Sequence, residues 1–325
     1  MKKLMIAMLA GALALGASGA AQAQDKIRLQ LKWVPQAQFA GYYVAAAKGY
    51  YKDENLDVEI LPGGPNVAPE QVIAGGGADV IVDWMGGALA AREKGVPLVN
   101  IAQPFKKSGL MMICPKETGI TSEADFKGKT LGVWFFGNEY PFFAWMNKLG
   151  LKTGEGGDVK VLQQSFDVQP MIQKQADCIS VMTYNEYGQA LDAGYTPDKL
   201  TIFNYTEMGN DLLEDGLYVN ENDLKDPAKV DAYTRFVRAS MKGWQYAVDN
   251  PDEAAQIVVD SDETGGAELK HQQYMAREVA KLVDPKDPAL DMATYERTAK
   301  ALLDQKIIAK EPSGAYSTVV TDALK

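Results

Sequence analysis

Four short groups of aromatic, amide and carboxylate side chains follow predicted β-strands in this sequence. Their members, with one further acceptor near a predicted hinge, are Trp33, Gln36, Gln38, Phe39, Asp83, Trp84, Trp134, Asn138, Glu139, Tyr184, Asn185, Glu186 and Glu214. In open α/β sheets, ligands bind just beyond the carboxyl ends of the strands. We therefore expect the four groups to line one shared ligand-binding cleft.

The chemistry of such a cleft suits a flat nitrogen heterocycle. Indole and phenol rings stack on planar ligands, while carboxylates and amides form hydrogen bonds with ring nitrogens and exocyclic amines. A sulfonate or phosphate would instead need Arg, Lys or free helix N-termini. The basic residues in or beside these loops are Lys32, Lys106 and Lys107, and strand alternation predicts that Lys32 points away from Trp33. Anionic ligands are therefore disfavoured.

Each of these residues also has a purely structural explanation. A tryptophan at a strand end often packs in the core, Asn138 could cap a helix, and Glu186 could complement a helix N-terminus. Taken one at a time, the structural explanation is the stronger one. Four groups of similar composition at four strand ends favour a shared cleft.

The sequence shows no catalytic or metal-binding pattern. Its single histidine, His271, lies in a polar helical stretch far from these loops, which indicates a solvated helix residue. Cys114 and Cys178 are too isolated for a zinc or iron cluster. No nucleophile elbow, P-loop or dinucleotide fingerprint is present. We expect no cofactor, no metal and no enzymatic activity.

The first 23 residues have the pattern of an export signal. Lys2 and Lys3 precede the apolar stretch Leu4–Leu15, and a small-residue cleavage site ends at Ala23. The remaining chain should be a periplasmic protein. The whole sequence has a net charge of −10, which makes nucleic acid and anionic membrane surfaces poor partners.

Strands alternate with short helices along most of the chain, which predicts two α/β units with mixed or parallel sheets. An Ala-rich helix is expected over residues 39–51, and a helical tail follows residue 230. We predict a first lobe of residues 24–109 plus 210–325 and a second lobe of residues 110–209. Ordered strands should join the lobes at two crossings that act as a hinge.

The two cysteines allow two interpretations. Export makes a disulfide between Cys114 and Cys178 chemically possible, but the sequence does not show that their Cα atoms approach closely enough. The alternative is a pair of buried apolar thiols. The sequence does not decide between them.

Taken together, the motifs resemble those of a known family. The segments LKWVPQAQFAGYYVAAAKGYYKDENLDVEI, GGADVIVDWMGGALAAREKGVPLVNIA, LGVWFFGNEYPF and VMTYNEY resemble those of periplasmic substrate-binding proteins of ABC importers. The resemblance is to the branch related to the fungal thiamine-pyrimidine synthase, which includes binders of thiamine pyrimidine precursors. It covers essentially all of the chain after the export signal.

The resemblance implies a two-lobed type II-like α/β fold with a ligand cleft between the lobes. It implies that Trp33 stacks on the ligand and that Asn185 and Glu186 contact pyrimidine amines. It also implies a monomer that docks on an ABC permease with its ATPase. Precursor binders of this branch usually carry Asn and His where this chain has Gln36 and Gln38, so the heterocycle itself stays open.

Several functions remain in competition. The first choice of ligand is an aminopyrimidine related to thiamine synthesis, followed by another pyrimidine, a hydantoin-like ring or a riboflavin-related compound. An alkylsulfonate is a weaker alternative because basic residues are scarce in the loops. The alternative of another class is a pyrimidine-synthesis enzyme, but this chain lacks the cysteine-rich iron motif of the fungal enzyme.

Overall fold

The computed structural model describes residues 24–325 as two five-stranded mixed sheets flanked by helices. The predicted export signal, residues 1–23, lies outside the described residues. In the part of the chain that the structure describes, no helix combines the length and apolar character needed to cross a membrane.

Ten strands form the two sheets. Their bounds are β1 (Asp25–Gln30), β2 (Leu56–Leu61), β3 (Val80–Asp83), β4 (Leu98–Ala102), β5 (Leu110–Pro115), β6 (Thr130–Val133), β7 (Lys160–Gln163), β8 (Cys178–Met182), β9 (Leu200–Asn204) and β10 (Gly216–Asn220). The first sheet has the order β2-β1-β3-β10-β4 and the second the order β7-β6-β8-β5-β9. The prediction of two mixed sheets is confirmed.

The two sheets share one pairing scheme. In the first, β1 is parallel to β2 and β3, while β10 runs antiparallel between β3 and β4. In the second, β6 is parallel to β7 and β8, while β5 runs antiparallel between β8 and β9. The first sheet therefore draws its antiparallel strand from beyond residue 210, whereas the second is built entirely from residues 110–204. The division into lobes proposed from the sequence stays a prediction.

Helices cover the faces of both sheets. Their bounds are α1 (Ala40–Ala47), α2 (Tyr50–Asp53), α3 (Pro69–Ala74), α4 (Met85–Glu93), α5 (Tyr140–Lys148), α6 (Gln169–Ile172), α7 (Glu186–Asp192), α8 (Pro227–Asp249), α9 (Pro251–Ser261), α10 (Leu269–Val279), α11 (Met292–Asp304) and α12 (Val319–Asp322). The helix expected over residues 39–51 is divided at Gly49, whose φ of 77° is left-handed.

The helices α1 and α8 pack closely against each other in the hydrophobic core. A Cβ atom built on Gly243 would lie only 2.0 Å from the carbonyl oxygen of Gly41. Trp244 is buried beside this crossing and contacts Tyr42 edge-to-face, with ring centroids 5.5 Å apart. The small residues therefore let the helical tail pack directly on the first helix.

The connections between the sheets differ from the expectation. We expected ordered strands, but residues 103–109 and 205–215 are irregular segments. Other bonds fix them instead. The Glu214 carboxyl accepts hydrogen bonds from the Ser108 hydroxyl and, at 3.1 Å, from the Gly109 N–H, and Phe105 forms an isolated antiparallel bridge with Val283. Gln103 Nε2 donates to the Glu214 carbonyl at 2.5 Å. The bonds to Glu214 tie the two connections to each other.

The two cysteines form a disulfide. Cys114 lies near the end of β5 and Cys178 begins the neighbouring antiparallel strand β8, so the two Cα atoms lie 4.2 Å apart. Of the two interpretations left open by the sequence, the disulfide is confirmed. The disulfide links two neighbouring strands of the second sheet and closes a covalent loop from Cys114 to Cys178.

Candidate functional site

A narrow cavity with a free volume of about 30 Å³ lies between the two sheets, at the ends of four strands. We call it the inner cavity. Nine of the predicted site residues line it: Trp33, Gln36, Gln38, Trp84, Trp134, Asn138, Tyr184, Asn185 and Glu186. Trp84 and Trp134 each directly follow a strand, and Tyr184 lies two residues beyond β8. The structure thus brings the four groups together, while ligand binding by them stays a prediction.

Four predicted site residues lie outside the inner cavity wall. Phe39 is fully buried in the core, and Asp83 is buried behind the wall. Glu139 is half-buried and accepts a hydrogen bond from the Gly137 N–H at 2.8 Å. Glu214 is buried at the connections between the sheets. These four residues support the wall or the fold rather than facing the cavity.

The position of Lys32 corrects one expectation drawn from the sequence. Lys32 lines the inner cavity together with Trp33, although strand alternation predicted that it would point away. The strand β1 ends at Gln30, so the two-residue period no longer applies at Lys32. The buried Lys32 ammonium donates to Asp83 Oδ1 at 2.7 Å. Because an ammonium has three N–H donors, it can also donate to a ligand acceptor.

A directed chain of hydrogen bonds orients the amides of the first loop. Asn185 Nδ2 donates to Gln36 Oε1 at 3.3 Å, and Gln36 Nε2 donates to Gln38 Oε1 at 2.6 Å. Gln38 Nε2 then donates to Asp215 Oδ2 at 2.6 Å, while Trp84 Nε1 donates to Asp215 Oδ1 at 2.9 Å. A carboxylate only accepts, so Asp215 sets the direction of the whole chain.

His271 extends this chain and corrects a second expectation. It was expected to be solvated and far from the loops, but its half-buried Nε2 lies 2.7 Å from Asn185 Oδ1. Asn185 Nδ2 also donates to Glu186 Oε1 at 2.8 Å, so its Oδ1 is the acceptor and His271 is the donor. Sequence reasoning missed His271 because 86 residues separate it from Asn185, and no local pattern indicates this contact.

Burial controls the protonation of the site carboxyls. It raises the pKa of Glu186 to about 7 and the pKa of Asp215 to about 6. Near neutral pH, Glu186 is therefore available in both forms, one that accepts an N–H and one that donates an O–H. This suits recognition of a ring nitrogen beside an amine.

The indoles supply the apolar part of the wall. Trp33 and Trp134 pack edge-to-face, with ring centroids 6.3 Å apart and planes inclined by 68°. Trp134 Nε1 donates to the Ser165 carbonyl at 2.7 Å, which fixes its ring. Met182, which was not predicted, completes this surface. A planar ligand can stack on one indole while meeting the edge of the other.

The described residues, 24–325, contain no group of three or more His, Cys, Asp or Glu side chains arranged to hold a metal ion. The chemistry available in the inner cavity is stacking, hydrogen bonding and one buried ion pair.

Comparison with solved structures defines the class of protein. The chain superimposes on the ligand-binding component of an ABC-type import system from Staphylococcus aureus with a TM-score of 0.69, over 93% of this chain and 99% of that one, at 12% identity. Together with the two sheets and the cavity between them, this likeness identifies the periplasmic-binding-protein fold.

The sequence places the chain within that class. The family described as NMT1/THI5 like matches residues 36–254, and the chain belongs to this family. It is 26% identical to a formylaminopyrimidine-binding protein of Halalkalibacterium halodurans, over 92% of this chain and 91% of that protein. It is also 26% identical to the riboflavin-binding protein RibY of Chloroflexus aurantiacus, over 72% of this chain and 65% of RibY.

Proposed function

We propose that this protein is the extracytoplasmic solute-binding component of an ABC importer and that it binds a small nitrogen heterocycle. The proposed ligand is an aminopyrimidine related to thiamine synthesis. The protein would work as a periplasmic monomer, deliver its ligand to a membrane permease and its ATPase, and catalyse no reaction itself. The similarity to a formylaminopyrimidine-binding protein supports this ligand class.

The observation that carries the proposal is the composition of the inner cavity wall. Three indoles, Trp33, Trp84 and Trp134, surround a set of oriented amides and one carboxyl. The stacking faces and hydrogen-bonding groups of this wall match a single substituted nitrogen ring. The free volume between the walls is about 30 Å³, close to that of one water molecule, so the lobes must lie further apart than this to admit the ring.

Each wall residue has a proposed task. The ring stacks on Trp33, with Trp134 meeting its edge. Glu186 accepts from the exocyclic amine or donates to a ring nitrogen, according to its protonation. Asn138 Nδ2 already donates to the Phe135 carbonyl at 2.8 Å, so its Oδ1 accepts from the ligand. Lys32 donates to an acceptor on the ring or its substituent.

Binding is coupled to closure of the two lobes. The wall combines Gln36 and Trp84 from loops of the first sheet with Trp134 and Asn185 from loops of the second. A ligand that contacts both sets stabilises the closed arrangement by its differential affinity for it. The closed form is then the one that a permease would recognise.

Isothermal titration of the purified protein tests this proposal. We expect saturable one-to-one binding of 4-amino-5-hydroxymethyl-2-methylpyrimidine and weaker binding of pyrimidines without the amine, because Glu186 then loses its partner. No heat of binding with any aminopyrimidine, or turnover of the ligand detected in the same solutions, would contradict the proposal.

One observation favours a second candidate. Lys32 has donors to spare inside the cavity, so an alkylsulfonate is a possible ligand despite the scarcity of basic residues. The ion pair with Asp83 largely neutralises this charge, and nearby Glu186 opposes an anion. We therefore expect ethanesulfonate to bind at least about a hundredfold more weakly than the aminopyrimidine. Preferential binding of the sulfonate would favour the second candidate.

A further inference from the structure

A second space adjoins the inner cavity on its outer side. It has about 660 Å³ of empty space and opens to solvent. Its walls come from five separated segments, which are the first loop, Phe166 after β7, the start of α7, the loop of residues 262–267 between α9 and α10, and the first turn of α10. We call this space the outer chamber.

A thin partition separates the two spaces. Gln36 and Asn185 line both of them, and they meet through one hydrogen bond of 3.3 Å. Well-formed N–H···O bonds measure about 2.7–3.2 Å, so this bond is the longest in the amide chain. Loss of this one bond by a shift of Gln36 would join the inner cavity to the outer chamber, while Asn185 stays bonded to His271 and Glu186.

The outer chamber has its own recognition surface. Phe166 is 47% exposed, and Pro35 lies on the wall with it, so an aromatic face is available without another ring covering it. The opposite loop is held in shape by Asp262, whose Oδ1 accepts from the Thr264 hydroxyl at 2.6 Å and whose Oδ2 accepts from the Ala267 N–H at 2.9 Å. This loop therefore has a defined conformation before any ligand binds.

We propose that the outer chamber is a second subsite, which binds a second ring attached to the heterocycle held in the inner cavity. The inference rests on the proposed function, because it takes the inner cavity as the site of the first ring. The second ring lies on the face of Phe166, with the linker passing between Gln36 and Asn185. A cationic second ring would bind more tightly, because the aromatic face of Phe166 and the Asp262 carboxylate both attract a positive charge.

Titration of two probes against three proteins tests the subsite. The single-ring probe is 4-amino-5-hydroxymethyl-2-methylpyrimidine, and the two-ring probe is thiamine, in which the same pyrimidine carries a thiazolium through one methylene. The proteins are the wild type, Phe166→Ala and the control Ile202→Ala, which removes another exposed apolar side chain, on β9. We expect Phe166→Ala to weaken thiamine binding about tenfold and to change single-ring binding less than twofold.

The other outcomes overturn the inference in distinguishable ways. If wild-type protein binds the single ring but not thiamine, or if Phe166→Ala leaves thiamine affinity unchanged, the subsite fails and the proposed function stands. The subsite fails in the same way if Phe166→Ala weakens both probes equally or if Ile202→Ala has the effect of Phe166→Ala. Binding of neither probe by the wild type overturns both proposals.

Discussion

The side chains that face the inner cavity are oriented by partners that lie behind them. Asp215 holds both Gln38 and Trp84 through its two oxygens, and His271 holds Asn185. The donors and acceptors of the inner cavity therefore have directions that are set before any ligand binds. Such preorganisation lowers the ordering cost of binding.

Glu214 makes stability depend on pH in a defined direction. Burial raises the pKa of Glu214 to about 8 from its usual 4.5. Between these values the folded state retains a proton that the unfolded state releases, so the free energy of unfolding falls as pH rises. Comparing wild type with Glu214→Gln by urea denaturation isolates this carboxyl, since the other groups are common to both.

We expect the stability of the wild type relative to Glu214→Gln to drop by about 2 kcal/mol between pH 6 and pH 8. The variant keeps a side-chain oxygen that can accept from the Gly109 N–H. Parallel pH profiles for the two proteins would contradict the assignment of a raised pKa to Glu214.

The aromatic residues of the site were predictable, whereas the residues that orient them were not. Trp84 and Trp134 directly follow apolar strands, which is a local signal. The prediction for Lys32 was wrong because β1 ends two residues before it. The alternation of polar and apolar residues does not reveal where the strand ends. His271 reaches the site through the packing of a helix that lies far away in the chain.

At the scale of elements, the site depends on strands whose carboxyl ends all border the inner cavity. The site groups were expected after strands, and the loops that follow β3, β6 and β8 meet at the inner cavity. The order of the strands was not predictable, because pairing between β5 and β8 is set by contacts across the chain. The irregular connections were also missed, since side-chain bonds and an isolated bridge to Val283, far away in the chain, fix them.

The disulfide should stabilise the folded protein because it lowers the conformational entropy of the unfolded chain. Cys114 and Cys178 are separated by 64 positions, and closing a loop of this size corresponds to roughly 4 kcal/mol of unfolding free energy. The double variant Cys114→Ala/Cys178→Ala should lose that amount of unfolding free energy, and a reducing agent should lower the wild type's stability but not the variant's. Equal denaturation midpoints for oxidised and reduced wild type would contradict this.

At the scale of the whole molecule, two glycines meet where the halves of the site come together. A Cβ atom on Gly87, in the first turn of α4, would lie 3.3 Å from Gly137 Cα. Gly137 follows β6 and belongs to the loop that carries Trp134 and Asn138. If the lobes close on a ligand as proposed, this contact lets them approach without a side chain between them.

Side chains of increasing size at position 87 should therefore hold the lobes apart. We expect Gly87→Ala to weaken aminopyrimidine binding slightly and Gly87→Val to weaken it by about tenfold or more. Small-angle scattering should show that Gly87→Val contracts less than the wild type when ligand is added. Full affinity and full contraction in Gly87→Val would show that this contact does not limit closure.

The most direct test of the central claim is calorimetric titration of Trp33→Ala with 4-amino-5-hydroxymethyl-2-methylpyrimidine. Trp33 faces the inner cavity but is also buried and packs edge-to-face on Trp134. Its removal should therefore cost roughly 3 kcal/mol of stability or more, and circular dichroism must show that the variant is still folded before its affinity is compared. Stacking and burial together predict a loss of affinity of about thirtyfold or more relative to the wild type. Affinity equal to that of the wild type, in a correctly folded variant, would contradict a heterocycle site between the two lobes.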